Sequence, residues 1–272
     1  MIFVNDKLID TNNFPDHTTF VRLAPDMSFD NKVELKWLYD NDAECMTVMY
    51  LTRHLQQMGH DVELVMPYVP NARQDRVKED EDVFTLKYFA EFINNLFFTK
   101  VTVFDAHSIV TDALIDRIVD ERPAALVTAA IENIWEEEKT QPFIFFPDEG
   151  ASKRYVNLIK GPCGFGIKKR DWKTGQLADE MQLYGDIPDD LEHAPVLIID
   201  DICSRGGTFV RAAKALRNRN AGRIYLCVSH CENTIHDGAL LKDGFVKKVY
   251  TTDSIYRGKS EDVVICKKYN LW

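Results

Sequence analysis

The sequence has no apolar run approaching the ~20 residues that a membrane-spanning helix requires, so no membrane partner is expected. It has no cysteine pair at Cys-x-x-Cys spacing, which removes the usual signature of a zinc or dithiol redox site. The six cysteines, at 45, 163, 203, 227, 231 and 266, are scattered and read as separate reduced thiols, with Cys203 a small filler residue. Basic charge is in deficit. The formal net charge is −10, whereas binding phosphate backbones needs a basic face, so nucleic acid is not an expected partner. Met1–Lys7 lacks the charged and apolar regions of a signal peptide, and the expected location is cytoplasmic. A Walker A loop is also missing. Gly161–Gly166 has its two-glycine spacing, but Ile167 stands where that motif needs lysine.

What is present is a chain of 272 residues, 45% hydrophobic, enough for one large domain or two of ordinary size. Apolar runs alternate with amphipathic stretches. Met46–Met58 is expected to be helical, with Met46, Met49, Tyr50 and Leu55 near helical spacing and Gly59 ending it. Val62–Met66 and Val101–Phe104 read as strands, and Phe84–Phe97 and Asp112–Val119 as helices. The rhythm resumes with strand Phe143–Phe146, helix Lys153–Ile159, strand Val196–Ile199, helix Val210–Asn218 and strand Ile224–Val228. Such alternation implies a mainly parallel sheet flanked by helices, an α/β fold. The polar run Glu136–Gln141 before Pro142 is the best candidate boundary, giving domains 1–140 and 141–272. Tyr50–Tyr68 and Ala212–His230 share the order helix, glycine, strand and turn, which fits either duplication or two generic βαβ units. Residues 160–195 show little periodicity and read as an irregular segment.

The chemistry gathers just after strands. Val196–Ile199 runs into Asp200-Asp201, then Ser204-Arg205-Gly206-Gly207-Thr208 and a helix. A glycine turn feeding a helix N-terminus presents N–H groups to an anion, and neighbouring carboxylates suit hydroxyls or a metal. The pattern fits a phosphorylated sugar. After Val62–Met66 comes Pro67–Arg76, where Arg73 and Arg76 flank Gln74-Asp75. Arginine offers a planar fork for phosphate and a face for a base, and glutamine can read an adenine edge; a solvated loop with an internal Arg–Asp pair explains the same residues equally well. His107, in Asp105-Ala106-His107-Ser108, lies just past a strand and could ligate a metal, act as an acid or cap the next helix. Asp148, in Pro147-Asp148-Glu149-Gly150, suits Mg²⁺. Lys169 and Arg170 place cations in the irregular segment, where they could neutralise charge on a transferring phosphoryl group.

Taken in order, these motifs resemble the ribose-phosphate pyrophosphokinases, also called phosphoribosyl-pyrophosphate synthetases. The resemblance rests on Pro67–Arg76, Asp105–Ser108, Pro147–Gly150, Lys169-Arg170 and Asp200–Thr208, and it covers residues 60–230. It implies two tandem phosphoribosyltransferase-like domains, ATP as co-substrate, Mg²⁺ and a symmetric oligomer. It also implies that a ribose anomeric hydroxyl attacks the β-phosphorus of ATP and AMP leaves. On that resemblance Arg73, Gln74, Asp75 and Arg76 bind ATP, and His107 and Asp148 lie at the metal–nucleotide site. Lys169 and Arg170, with His107, serve catalysis. Asp200 and Asp201 hold the ribose hydroxyls, and Ser204, Arg205, Gly206, Gly207 and Thr208 cradle its 5′-phosphate. The sequence departs from the family at Ser204-Arg205, where Asp-Thr is usual, and at Asp171, where a second arginine is usual. No family match is recognisable before about residue 45. The acceptor implied by the family is ribose 5-phosphate, while Arg205 suits a larger anionic group such as that of ADP-ribose. A phosphoribosyltransferase and a catalytically silent regulatory partner of a synthetase are the alternatives.

Overall fold

A computed structural model of the chain describes residues 1–170 and 177–269, with side chains described outside 168–180. The chain packs into two compact units, Met1–Arg122 with Tyr269–Trp272, and Pro123–Lys268. The division falls between Arg122 and Pro123, ahead of the Glu136–Gln141 run that marks the boundary in the sequence. The reason is the helix in between.

The first unit runs β1 (Ile2–Val4), β2 (Lys7–Leu8), β3 (Thr11–Asn13), β4 (Thr19–Val21), β5 (Lys32–Trp37), α1 (Glu44–Gln57), β6 (Asp61–Val65), α2 (Thr85–Asn94), β7 (Lys100–Phe104), α3 (Val110–Leu114) and β8 (Ile118–Glu121). Its six-stranded sheet has the order β2-β1-β5-β6-β7-β8. The four strands β5 to β8 are parallel, while β1 and β2 add antiparallel at one side. The second unit runs α4 (Ala124–Glu138), β9 (Phe143–Phe146), α5 (Glu149–Tyr155), β10 (Cys163–Arg170), β11 (Leu177–Gly185), β12 (Val196–Cys203), α6 (Gly207–Arg217), β13 (Ile224–Cys231), α7 (Ala239–Lys242), β14 (Val249–Thr252) and β15 (Val263–Lys267). Its seven strands are ordered β11-β10-β9-β12-β13-β14-β15, all parallel neighbours except the antiparallel pair β10–β11. Each unit has its own apolar core.

Helix α4 belongs to the second unit because it packs on β13, β14 and β15. It buries Leu126, Val127, Ala130 and Ile134. Its last turn is latched by charge: Glu138 accepts from Arg223 at 3.0 Å and from Tyr225, and Glu137 pairs with Lys247 and Lys248. The acidic start of the candidate boundary run is therefore the anchored end of a helix.

Three further expectations are corrected by packing. In α1 the buried residues are Thr47, Val48, Leu51, Thr52 and Leu55, while Met46 and Tyr50 are exposed. Threonine can face the core here because the Thr52 hydroxyl donates to the Val48 carbonyl at 2.7 Å. The helix expected over Asp112–Val119 stops at Leu114. Arg117 turns left-handed at φ +56°, and Ile118 and Val119 pair with Val101 and Thr102 as strand β8. The segment read as irregular holds the β10–β11 hairpin. Its alternation is hidden because the buried positions of β10 are Gly164 and Gly166, where a Cβ would collide with Ile187 and Met181.

The paired glycines of the apparent internal repeat do different jobs. Gly59 closes α1 at φ +93° with open space around it. Gly222 instead lies against the backbone carbonyl of His193, where a Cβ would collide. We therefore expect Gly222→Ala to cost about 3 kcal/mol through overpacking and Gly59→Ala only about 1 kcal/mol through backbone strain. Urea unfolding midpoints check this; equal costs would refute the steric assignment.

Candidate functional site

In the first unit the Pro67–Arg76 loop leaves the carboxyl end of β6, and Phe104 N–H, at the end of β7, donates to the Pro67 carbonyl at 3.0 Å. That bond places the loop beside Asp105–Ser108. Asp75 then ties the two loops together. Its carboxylate accepts from Arg76 Nε at 2.7 Å and Nη2 at 3.0 Å, and from Ser108 Oγ at 2.7 Å. The Arg76 fork, then the Ser108 hydroxyl, hold the Asp75 carboxyl down at about 2 against the opposing effect of burial. Arg76, with its guanidinium aimed by Asp75, is largely exposed, as are Arg73 and Gln74. Gln74 is fixed from the other side: its carboxamide oxygen accepts from Thr85 Oγ1 at 2.9 Å at the start of α2. Its amide –NH₂ still has two donors to offer.

His107 is exposed just past β7, as its position in the sequence suggests. In the turn that follows it, the Ser108 hydroxyl accepts from Val110 N–H at 3.1 Å. Asp105 is fully buried at φ +49°, and its N–H donates to the Glu121 carbonyl at 2.9 Å. That turn brings His107 to the surface beside the Asp75 loop.

In the second unit Asp148 follows β9 and caps α5, its Oδ1 accepting from Ala151 N–H at 2.9 Å. Asp200 and Asp201 lie inside β12, which continues two residues beyond them to Cys203. Burial pushes the Asp200 carboxyl well up, and the neighbouring carboxyls of Asp201 and then Asp148 add to it. Two adjacent carboxyl groups offer oxygens to a pair of sugar hydroxyls. Next comes the turn. Gly206 is left-handed at φ +78°, and a Cβ on it would stand 2.7 Å from Leu240. Gly238 lies so close to the Arg205 carbonyl that a Cβ would collide with it. Helix α6 begins at Gly207, and its first-turn N–H groups have no carbonyl of their own helix to bond. Arg205 is exposed beside them.

The structure thus brings together Arg73, Gln74, Asp75, Arg76 and His107 in one unit, and Asp148, Asp200, Asp201 and Ser204–Thr208 in the other. The side chains of Lys169 and Arg170 lie outside the described residues. His107 and Asp148 belong to different units, and among the described residues no group of three or more His, Cys, Asp or Glu is placed to hold a metal ion. Mg²⁺ needs only one or two carboxylates beside phosphate oxygens and water, and Asp148, in the second unit, is a carboxylate that fits such a metal. The sequence reading missed Thr85, Glu232 and Thr234. The last two lie near the turn after β12 through β13, and nothing local in the sequence marks them: Thr234 Oγ1 is 3.0 Å from Ser204 Oγ and donates to Glu232 Oε2 at 3.0 Å.

No protein-family model matches the chain. Its curated relatives carry the name ribose-phosphate pyrophosphokinase. That of Thermococcus kodakarensis is 25% identical over 224 residues, covering 82% of this chain and 77% of the relative. That of Vibrio cholerae is 28% identical over 201 residues, covering 73% of this chain and 62% of the relative. Thermosipho africanus supplies a third, 26% identical, with 64% of its length matched. The chain therefore spans less than two thirds of two of these three. Among solved structures, phosphoribosylpyrophosphate synthetase from Mycobacterium smegmatis has the same fold, with TM-score 0.76, 17% identity and 96% of this chain covered. The motif-based resemblance and the α/β fold of tandem phosphoribosyltransferase-like units both stand. Among the described residues no helix is long and apolar enough to cross a membrane.

The Asp75 contacts carry a pH signature. A carboxyl held below its ordinary value stabilises the fold fully above about pH 4. That contribution is lost as pH falls toward about 2. Asp75→Asn is expected to cost roughly 1–2 kcal/mol at neutral pH, discounted for the exposed Arg76. It should also flatten the stability curve across that acid window. Urea titrations between those limits check it, and an unchanged acid limb in the variant would count against the assignment.

Proposed function

We propose that the chain transfers the pyrophosphoryl group of ATP to the anomeric hydroxyl of a 5′-phosphorylated ribose, releasing AMP. The observation that carries this reading is the Asp75-braced loop. It aims Arg76 and leaves Arg73 and Gln74 exposed beside His107, a surface with guanidinium forks for phosphates and an amide for an adenine edge. The separate turn after β12 offers unbonded helix N–H groups next to the adjacent carboxyl groups of Asp200 and Asp201, which suits a ribose phosphate. The names of the curated relatives support the same activity.

In this reading Arg73, Gln74 and Arg76 bind ATP, and Asp75 positions Arg76. Asp200 and Asp201 hold the ribose hydroxyls, and Gly206–Thr208 with Arg205 take the 5′ group. Asp148, with one carboxylate oxygen still to offer, would hold Mg²⁺ arriving with ATP, and His107 lies by the nucleotide loop of its own unit. When bound, Mg²⁺ would draw charge from the phosphates. The anomeric oxygen bonds to the β-phosphorus and gives up its proton to water, the bond from that phosphorus to the oxygen bridging to the α-phosphate breaks, and AMP departs with that oxygen. Lys169 and Arg170 neutralise charge on the moving group; such transfers depend on positioning and charge more than on covalent help. Ribose 5-phosphate is the acceptor that the relatives' names imply. ADP-ribose is the second acceptor in this reading, because the Arg205 guanidinium, exposed beside the turn, suits a larger anionic 5′ group. A symmetric homo-oligomer and a cytoplasmic location complete the proposal.

The test is a mass-resolved product assay with ATP, Mg²⁺ and riboses of differing 5′ substituents. The expected result is AMP formed in step with a pyrophosphorylated acceptor. Lys169→Ala should lower kcat about 100-fold or more with little change in acceptor KM, and Arg76→Ala should raise KM for ATP. Absence of AMP with every acceptor would reject the activity.

A further inference from the structure

The side chains around Ser204 form a one-way chain of hydrogen bonds. Thr234 Oγ1 donates to Glu232 Oε2 at 3.0 Å. An ionised carboxylate can only accept, and a charge-assisted bond outcompetes a neutral one, so the single proton of the Thr234 hydroxyl is committed there. The contact of 3.0 Å between Ser204 Oγ and Thr234 Oγ1 therefore has one polarity: Ser204 donates and Thr234 accepts. The only proton on the Ser204 hydroxyl is thus spent inside the protein, and toward a ligand that oxygen presents lone pairs alone. The relay is rigidly mounted. Glu232 N–H donates to the Cys203 carbonyl at 2.8 Å, which fastens the end of β13 to the residue just before Ser204. Cys203 and Cys231 are register partners in the two parallel strands, and both are fully buried.

From this geometry we infer that Glu232 is a specificity-determining residue for the acceptor: acting through Thr234, it makes the Ser204 hydroxyl an obligate acceptor. The inference rests on the reading of Ser204–Thr208 as the acceptor turn. A serine beside a phosphate-binding helix N-terminus would ordinarily add a donor. Here it withholds one and turns an electron pair toward the phosphate. The turn is left with backbone N–H groups, Arg205 and Thr208 as its donors. Acceptors whose 5′ phosphate is a doubly charged monoester lose a bond at this position. Acceptors whose 5′ phosphate is singly charged, or which carry a hydroxyl or N–H donor beside it, lose less or gain one. Glu232 and Thr234 are positioning residues in this scheme, since they act on the ligand only through Ser204.

The test is a double-mutant cycle read by calorimetric binding of ribose 5-phosphate and of ADP-ribose to the full-length chain. Thr234→Val keeps the shape of the side chain but removes the hydroxyl that accepts the Ser204 proton. It should tighten ribose 5-phosphate about tenfold relative to ADP-ribose, the worth of one hydrogen bond to a charged group. Glu232→Gln should move the ratio in the same direction by a smaller factor, because its amide can also accept. In a Ser204→Ala background, Thr234→Val should leave the ratio unchanged. An unchanged ratio in Thr234→Val, or the same shift with and without Ser204, overturns the inference while the acceptor turn itself stands. If the unmodified chain binds neither compound, the reading of the turn fails and the inference falls with it.

Discussion

Parallel pairing of β5 to β8 and of β10, β9 and β12 to β15 is the constraint on which the rest depends. A parallel strand must be followed by a crossover before the next can form, so the chain turns away at the same edge each time. Residues far apart in sequence collect there without any contact between them having to be strong. Asp75 meets Ser108 because β6 and β7 are neighbours, and Ser204 meets Thr234 because β12 and β13 are. In both cases a short hydroxyl contact converts strand adjacency into a fixed relation between two loops.

Those two contacts share a logic and differ in outcome. Around Asp75 the carboxylate is the hub, and it leaves a guanidinium pointing outward with its charge intact. Around Glu232 the carboxylate is the remote end of a relay, and what reaches the surface is the polarity of a neutral hydroxyl. One acid organises by charge, the other by the direction of a proton.

Much of this was legible before any coordinates. The strand–helix alternation gives the α/β class, and the two loops rich in arginine or glycine, together with His107 and Asp148, fall where the strand pattern puts them. What the sequence concealed has identifiable causes. The β10–β11 hairpin escaped notice because glycines occupy the inward positions that alternation normally fills with apolar residues. The buried face of α1 was misplaced because two threonines serve as core residues there. Glu136–Glu138 fell in the candidate boundary run because its ion pairs to Arg223, Lys247 and Lys248 join positions remote in sequence. Glu232 and Thr234 were invisible for the same reason, since their importance arises only when β13 lies beside β12.

The glycines of the turn after β12 divide it into positions of unequal freedom. Gly206 is closed to any side chain by Leu240 and by its left-handed backbone, and Gly238 is closed by the Arg205 carbonyl. Ser204 and Arg205 have no such restriction; the first is half-buried and the second projects from the surface. Side chains of differing size and charge can therefore stand at 204 and 205 without disturbing the backbone scaffold, which the two crowded glycines beside them hold in place.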